Sequence, residues 1–402
     1  MPDNKNSPAR HTDLRALSAI ISGRLAQAGW ESFTEEAWEA LIAGSRRQGV
    51  APLLYWVFSQ SGNLARLPET VRDPLRLSYA RTLMQNQLCF RELESLSRAY
   101  AQARIPLVLL KGACYALTVY PDAGLRPMAD LDVLVPIARL DEAVGLACSL
   151  GYRATRPEAS PGLNELFSHE VLLQKEFPHP MALEVHFSLV ADRTFQYAVS
   201  VDWFWEQVEP LDSPSAGRFE NLLMLTPTAQ VLYAASHAML QHGGHNAPLR
   251  WFFDLDQLVR RYATRLDWEL LVSQAGTFEW GSALRAALVQ TEAYFETPIP
   301  PSARTALFAQ TDRHAELVAF KQSSPETHIL AETRALASLN WWGRLRLIFA
   351  LLMPGPAYMR WRYNFQNNWL LPRYYLLRWW GIFKDLLRTL SVLLKRRSST
   401  NA

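Results

Sequence analysis

Apolar residues recur at helical spacing through the first hundred positions of the chain. Leu14, Leu17, Ile20 and Ile21 fall on one face, and Leu83, Gln87, Phe90 and Leu93 repeat the pattern further along. Pro52 and the cluster Ser61-Gly62-Asn63 interrupt it, which predicts about four helical segments between Leu14 and about Arg104. The first dozen or so residues are polar and are expected to fray. Near residue 105 the pattern changes. Leu107–Leu110, behind Pro106, is a short apolar run that reads as a buried strand, and Leu131–Val135 reads as a second. Between them lie a short helix over Ala113–Val119 and a loop over Tyr120–Pro127 that is rich in Pro, Gly and Asp. Because that helix opens just after Gly112, its first N–H groups are free to meet an anion. Leu140–Leu150 is helical and stops at Gly151, a C-cap residue. Glu170–Lys175 and Met181–Ser188 flank Phe177-Pro-His-Pro180 and read as a hairpin. After about residue 220 the pattern is helical again. Thr226-Pro227 opens one helix, Arg250–Tyr262 is another, and weaker ones continue to about 335.

The resulting organisation is α+β, with a small mixed β-sheet held between helical regions. A helical region over 1–104 precedes an α/β core over 105–215, a helical domain over 216–335 and a C-terminal segment over 336–402. A chain of 402 residues is long enough for two or three separate cores. Cys89, Cys114 and Cys148 show no CxxC spacing, which argues against a disulfide scaffold or zinc ribbon and for a reducing, cytoplasmic compartment. The opening residues MPDNKNSPARHTDLR lack the apolar stretch of a signal peptide. No apolar run approaches the roughly 20 residues of a spanning helix. The longest candidate, Leu347–Met359, is broken by Pro354 and Pro356, so no transmembrane helix is expected.

Charge changes the picture at one end. The net charge is +3, yet residues 340–397 carry eleven Lys and Arg against the single acid Asp385, a balance of +10 that leaves −7 on the rest. The same segment is rich in Trp and Tyr, including Trp341, Trp342, Trp361, Trp369, Trp379 and Trp380. Three readings fit it: a surface lying on anionic lipid at the inner face of the membrane, a nucleic-acid platform, and a helical cap with solvated charges.

The chemistry concentrates in Leu107–Val135. Asp130 and Asp132 alternate onto one face of a strand flanked by apolar residues, where two carboxylates repel each other. A solvated edge strand or a turn would tolerate them, but the apolar flanks argue against both. A divalent cation with a preference for hard oxygen ligands, Mg²⁺ above all, resolves the conflict. Glu184, between Leu183 and Val185, supplies a third acid where burial is expensive unless it is paired. Together the three would cradle one or two Mg²⁺ ions, which suits in-line phosphoryl displacement. Glu184 is also the candidate acceptor for the proton of an attacking hydroxyl. Lys111, Gly112 and Arg126 are the candidate phosphate-binding residues.

Strand, Lys-Gly turn, helix, Arg, D-x-D strand and a later acid resemble the nucleotidyltransferase superfamily with the DNA polymerase β-like fold. LLKG…YPDAGLRPMADLDVLV, LEVHFSL and LRWFFDLDQL are similar, more closely, to the bacterial uncharacterised nucleotidyltransferase family, often associated with exopolysaccharide and exosortase-type gene clusters. The resemblance covers roughly residues 15 to 300. It implies a Mg²⁺-dependent transfer of a nucleoside monophosphate from an NTP to an acceptor (a saccharide, small molecule, protein or RNA), with Asp130, Asp132 and Glu184 as metal ligands. Two departures stand out. The superfamily's Gly-Ser after the first strand is replaced by Lys111-Gly112-Ala113, and the third acid is Glu rather than Asp. The missing serine motivates the alternative of a catalytically inactive scaffold.

Each residue also has a plainer reading. Glu184 could pair with Arg126 or Lys175, Lys111 could be an ion-pair partner of the aspartates, and Arg126 could lie on the surface. His186 reads as a core or rim histidine, with a substrate role as the alternative. His237, His242 and His245 match no zinc spacing. Arg250 and Asp254, at i and i+4, read as an ordinary helical ion pair, and the resemblance also sets them along the nucleotide cleft. Asp256 has no such support.

Overall fold

A computed structural model describes residues 8–155, 157, 168–176, 178–189, 199–242, 244, 247–310 and 340–400. Expectations for residues 1–7, Phe177, His245 and 311–335 lie outside these residues.

Five helices come first: α1 (Pro8–Ile21), α2 (Leu25–Ala28), α3 (Glu35–Arg47), α4 (Ala51–Gln60) and α5 (Glu69–Gln102). Pro52 sits in the first turn of α4, where its missing N–H leaves no bond unmade. Seven strands then form one mixed sheet: β1 (Leu107–Leu109), β2 (Asp130–Leu134), β3 (Arg153–Ala154), β4 (Glu170–Lys175), β5 (Met181–His186), β6 (Val208–Pro210) and β7 (Leu222–Leu225). Their order is β3-β4-β5-β2-β1-β7-β6. The fold is α+β, as expected.

The register matters more than the order. β2 and β5 run parallel with Asp132 opposite Glu184 and Asp130 opposite Ala182. The β4–β5 hairpin pairs Lys175 with Met181, which carries Glu170 opposite His186. Residues facing each other across strands share a face, so Asp130, Asp132, Glu184, His186 and Glu170 gather on one side of the sheet.

β7 corrects the helical reading after residue 220. Leu222–Leu225 is a strand, parallel to β1 and inside the edge strand β6. Leu-Leu-Met-Leu has no β-branched residue, and packing decides its state against local propensity.

Helices fill the remainder: α6 (Lys111–Thr118), α7 (Leu140–Ser149), α8 (Val201–Glu206), α9 (Pro227–Ser236), α10 (Leu249–Arg261), α11 (Trp268–Thr277), α12 (Gly281–Phe295) and α13 (Pro301–Ala309). A π-helical turn, His237–Gln241, extends α9. One hydrophobic core links α1 through α13. α14 (Trp341–Leu352), α15 (Pro356–Tyr363) and α16 (Leu371–Thr400) follow, with a small core of their own built on Tyr358, Met359 and Phe365. Among the described residues no helix is long and apolar enough to cross a membrane.

Candidate active site

Lys111, Gly112, Arg126, Asp130, Asp132 and Glu184 all line one cavity of about 300 Å³ between the sheet and α9–α10. At its floor, Asp132 Oδ1 accepts from Lys111 Nζ at 3.0 Å and faces His186 Nε2 at 3.0 Å. An ionised carboxylate only accepts, so Nε2 carries the proton here. Glu184 Oε2 lies 3.5 Å from the same nitrogen. Asp132, Glu184 and His186 offer ligand atoms within 4.8 Å of one another, a spacing that could hold a metal ion. Asp130 lines the cavity two residues back on β2 but is not one of that trio. Lys111 reaches Asp132 from a left-handed backbone, φ +37°, which is strained for a residue with a side chain.

The acids divide electrostatically. Burial pushes the Asp132 carboxyl up, but the Lys111 charge and the His186 hydrogen bond outweigh it and hold the pKa well below the usual range. Burial and the adjacent Asp132 push Glu184 the other way, to about 7, against the His186 hydrogen bond. Burial and Asp132 also raise Asp130. Two of the three acids thus lack enough local positive charge, a deficit that a divalent cation would remove.

The opposite wall is cationic. Arg126 forms a two-pronged pair with Asp254, at 2.8 Å from Nη2 and 3.3 Å from Nε, and Tyr120 Oη donates to Asp254 at 2.7 Å. The loop bearing Arg126 is held by Asn86 in the middle of α5, whose amide donates to the carbonyls of Ala123 at 2.5 Å and Arg126 at 2.9 Å. A Cβ on Gly112 would stand 3.0 Å from Arg126 Nη1, so glycine keeps the wall close. These contacts correct the expected Arg250–Asp254 helical pair, because Asp254 turns to the sheet-side loop instead. Arg126 is buried rather than on the surface. Glu184 pairs with neither of its expected partners, since Arg126 holds Asp254 and Lys175 holds Glu92 at 2.8 Å.

Sequence reasoning missed Glu170 and His169. Glu170 lines the cavity, its Oε2 lies 3.5 Å from His186 Nε2 and 3.1 Å from His169 Nε2, and these three residues form a second group of metal-ligating spacing. The hairpin register carried the signal, since pairing Lys175 with Met181 obliges Glu170 to face His186. His237 and His242 pack on Trp251 with ring centroids 4.8 and 4.6 Å away. Burial and the nearby Lys111 charge push both histidines down, His242 to about 4, which keeps them neutral aromatic lining. They belong to neither metal-spaced group among the described residues.

No curated protein and no solved structure matches the chain. Residues 34–296 match the sequence model of the family described as uncharacterised nucleotidyltransferase, a span that includes the whole cavity. The chain belongs to the uncharacterised nucleotidyltransferase family.

Proposed function

We propose that this protein is a Mg²⁺-dependent nucleotidyltransferase that moves a nucleoside monophosphate from an NTP to a hydroxyl or phosphate of its acceptor. The acceptor oxygen bonds to the α-phosphorus, the bond to the bridging oxygen breaks, and pyrophosphate leaves. The observation that carries this reading is the register that sets Glu184 beside Asp132, with Asp130 on the same face, opposite a wall of arginines in one cavity. The donor set suits the ion: Asp130, Asp132 and Glu184 present hard oxygens, and Glu184 has the raised pKa of a carboxylate short of positive charge. One or two bound Mg²⁺ ions would neutralise phosphate charge and polarise the phosphoryl oxygens. Glu184 is placed to accept the proton of the attacking hydroxyl, since a general base works best with a pKa near the working pH. Lys111 holds Asp132 ionised, Gly112 leaves room at the wall, and Arg126 faces the phosphates. The resemblance to proteins of exopolysaccharide clusters favours a saccharide-related acceptor. The test is incubation with α-labelled NTPs, Mg²⁺ and cell extract. The expected result is one labelled acceptor with the natural chain and none with Asp130→Asn at unchanged melting temperature. Labelling retained by that variant would remove the carboxylate from the mechanism. Calorimetry that shows no metal-dependent NTP binding would favour the catalytically inactive scaffold.

A second proposal concerns location. Fifteen of the twenty-one exposed large hydrophobic side chains among the described residues lie between Trp341 and Leu387. That density on a segment of charge +10 suits an anionic membrane surface, with Trp at the headgroup level and Arg toward lipid phosphate. We place α14–α16 there, at the inner face of the membrane. Flotation with phosphatidylserine vesicles compares the full chain with one ending at residue 335, which keeps the main core intact. Equal binding by the two would dismiss the membrane.

A further inference from the structure

Among the described residues three cations line the cavity, Lys111, Arg126 and Arg250, and two already have acids. Lys111 engages Asp132 at 3.0 Å and Arg126 engages Asp254 at 2.8 Å. Arg250, in the first turn of α10, forms no ion pair among the described residues. Its Nη1 reaches the Pro127 carbonyl at 3.3 Å, and its Nε is buried with no hydrogen-bond partner. A guanidinium has five donors in a rigid fork, and donors left unmade away from water are costly. Burial and the neighbouring Arg126 push its pKa down, the direction expected of a cation short of negative charge.

The N-terminal region builds this position. Gln48 Oε1 accepts from the Leu249 N–H at 2.7 Å, and the Gln48 carbonyl accepts from the Arg250 N–H at 3.3 Å. The opening N–H groups of α10 are therefore occupied, and the free donors are those of the side chain. Gly49, at φ +68°, passes so close that a Cβ there would lie 2.8 Å from Arg250 Nη1 and 3.2 Å from its Cδ. The α3–α4 loop borders the guanidinium, and a side chain at the left-handed Gly49 would push it aside.

We infer that Arg250 is an oligophosphate-binding residue, which takes the triphosphate tail of the nucleotide and the departing pyrophosphate in place of the Gly-Ser this chain lacks. Planar, multi-donor recognition of phosphate is the task for which Arg is suited. The identity of the ligand as a nucleotide rests on the proposed transfer. The anion site itself does not.

The probe is inorganic triphosphate with Mg²⁺, measured by calorimetry on the full chain. Arg250→Ala is expected to weaken binding about thirtyfold, and Arg250→Lys, which keeps charge without the fork, about tenfold. Gly49→Ala acts through Arg250, so it should weaken binding about tenfold alone and add nothing beside Arg250→Ala. If Arg250→Ala does not fold, Arg250→Lys and Gly49→Ala decide. Binding by the folded Arg250 variants within threefold of the natural chain, or fully additive Gly49→Ala and Arg250→Ala effects, overturns the inference. Triphosphate binding without nucleotidyl transfer leaves Arg250 in place and removes the transferase. Transfer by Arg250→Ala with unchanged NTP KM and pyrophosphate inhibition does the reverse.

Discussion

The cavity and the C-terminal helices break the same rule in opposite directions. In the cavity, charged groups are taken out of water: Lys111, Arg126, Asp132 and Asp254 are all buried. Along the C-terminal segment from α14 to α16, apolar groups are left in it, with Trp342 on α14 at 72% exposure and Trp369, in the turn before α16, at 76%. An exposed leucine or a solvated lysine teaches nothing, whereas a buried charge or a large exposed aromatic patch needs a reason. The reasons differ. Inside, each of those four charges is matched by a neighbour from a different element, so its cost is met within the fold. Outside, the described chain leaves these aromatics largely uncovered, so the match is expected from a partner.

The largest break in this contrast comes from removing an internal match. Lys111→Met deletes the ammonium 3.0 Å from the buried Asp132 and keeps the stem. Stranding one member of a buried pair costs about 3–5 kcal/mol. A lower melting temperature is expected at pH 8 in chelator, recovered in part by Mg²⁺. An unchanged melting temperature would mean that Asp132 is stabilised by other means. The corresponding change outside should leave the fold alone. Trp369→Ala with Trp380→Ala removes two rings exposed by 76% and 56%. Their lost insertion is expected to cut affinity for anionic vesicles by about 2–3 kcal/mol, near a hundredfold, at constant melting temperature. A fall in stability with unchanged lipid binding would instead make the segment a cap on the body.

The two regions were not equally legible. Asp130 and Asp132 could be placed on one face by counting, and the exposed aromatics by composition. Glu184 needed only that its strand lie beside β2. The pairing that builds the cationic wall was hidden, because Arg126 and Asp254 are 128 positions apart and a helical i,i+4 partner for Asp254 stood ready in Arg250. Local spacing proposes the near partner, and tertiary packing chose the far one. Asn86 is buried in mid-helix, and nothing local says that it supports a loop beyond residue 120. β7 was missed for the related reason that four leucine-like residues carry no period, and their state follows from β1 alongside.

A smaller effect sharpens the internal side. Glu184 has its pKa raised to about 7, so below that pH a proton occupies the position a metal ion requires. Metal affinity should therefore rise as pH rises, by about tenfold from pH 6 to pH 8, and level off above. Asp132, held well below the usual range, and Glu170, lowered to about 2, are ionised throughout this window and contribute no slope. Calorimetry with Mn²⁺ at the two pH values checks it, and Glu184→Gln should reduce the slope to what His186 contributes, since burial pushes its pKa down but its hydrogen bonds to Asp132 and Glu184 outweigh burial and raise it. A flat profile in the natural chain would detach Glu184 from the ion.

The smallest effect separates the two walls of the cavity. Tyr120→Phe removes one hydroxyl donor from Asp254 and leaves both Arg126 bonds to that carboxylate in place. Losing a single hydrogen bond to a charged acceptor that stays otherwise satisfied costs about 1 kcal/mol. The acids on β2 and β5 do not touch Tyr120, so metal affinity should not move. Asp254 would hold Arg126 less firmly, and NTP KM should rise a few-fold with kcat nearly constant, the pattern of an interaction made equally in the ground and transition states. If metal affinity falls together with phosphate affinity, the two walls act as one unit. If only KM moves, the cavity is two devices facing each other, one for the ion and one for the phosphates.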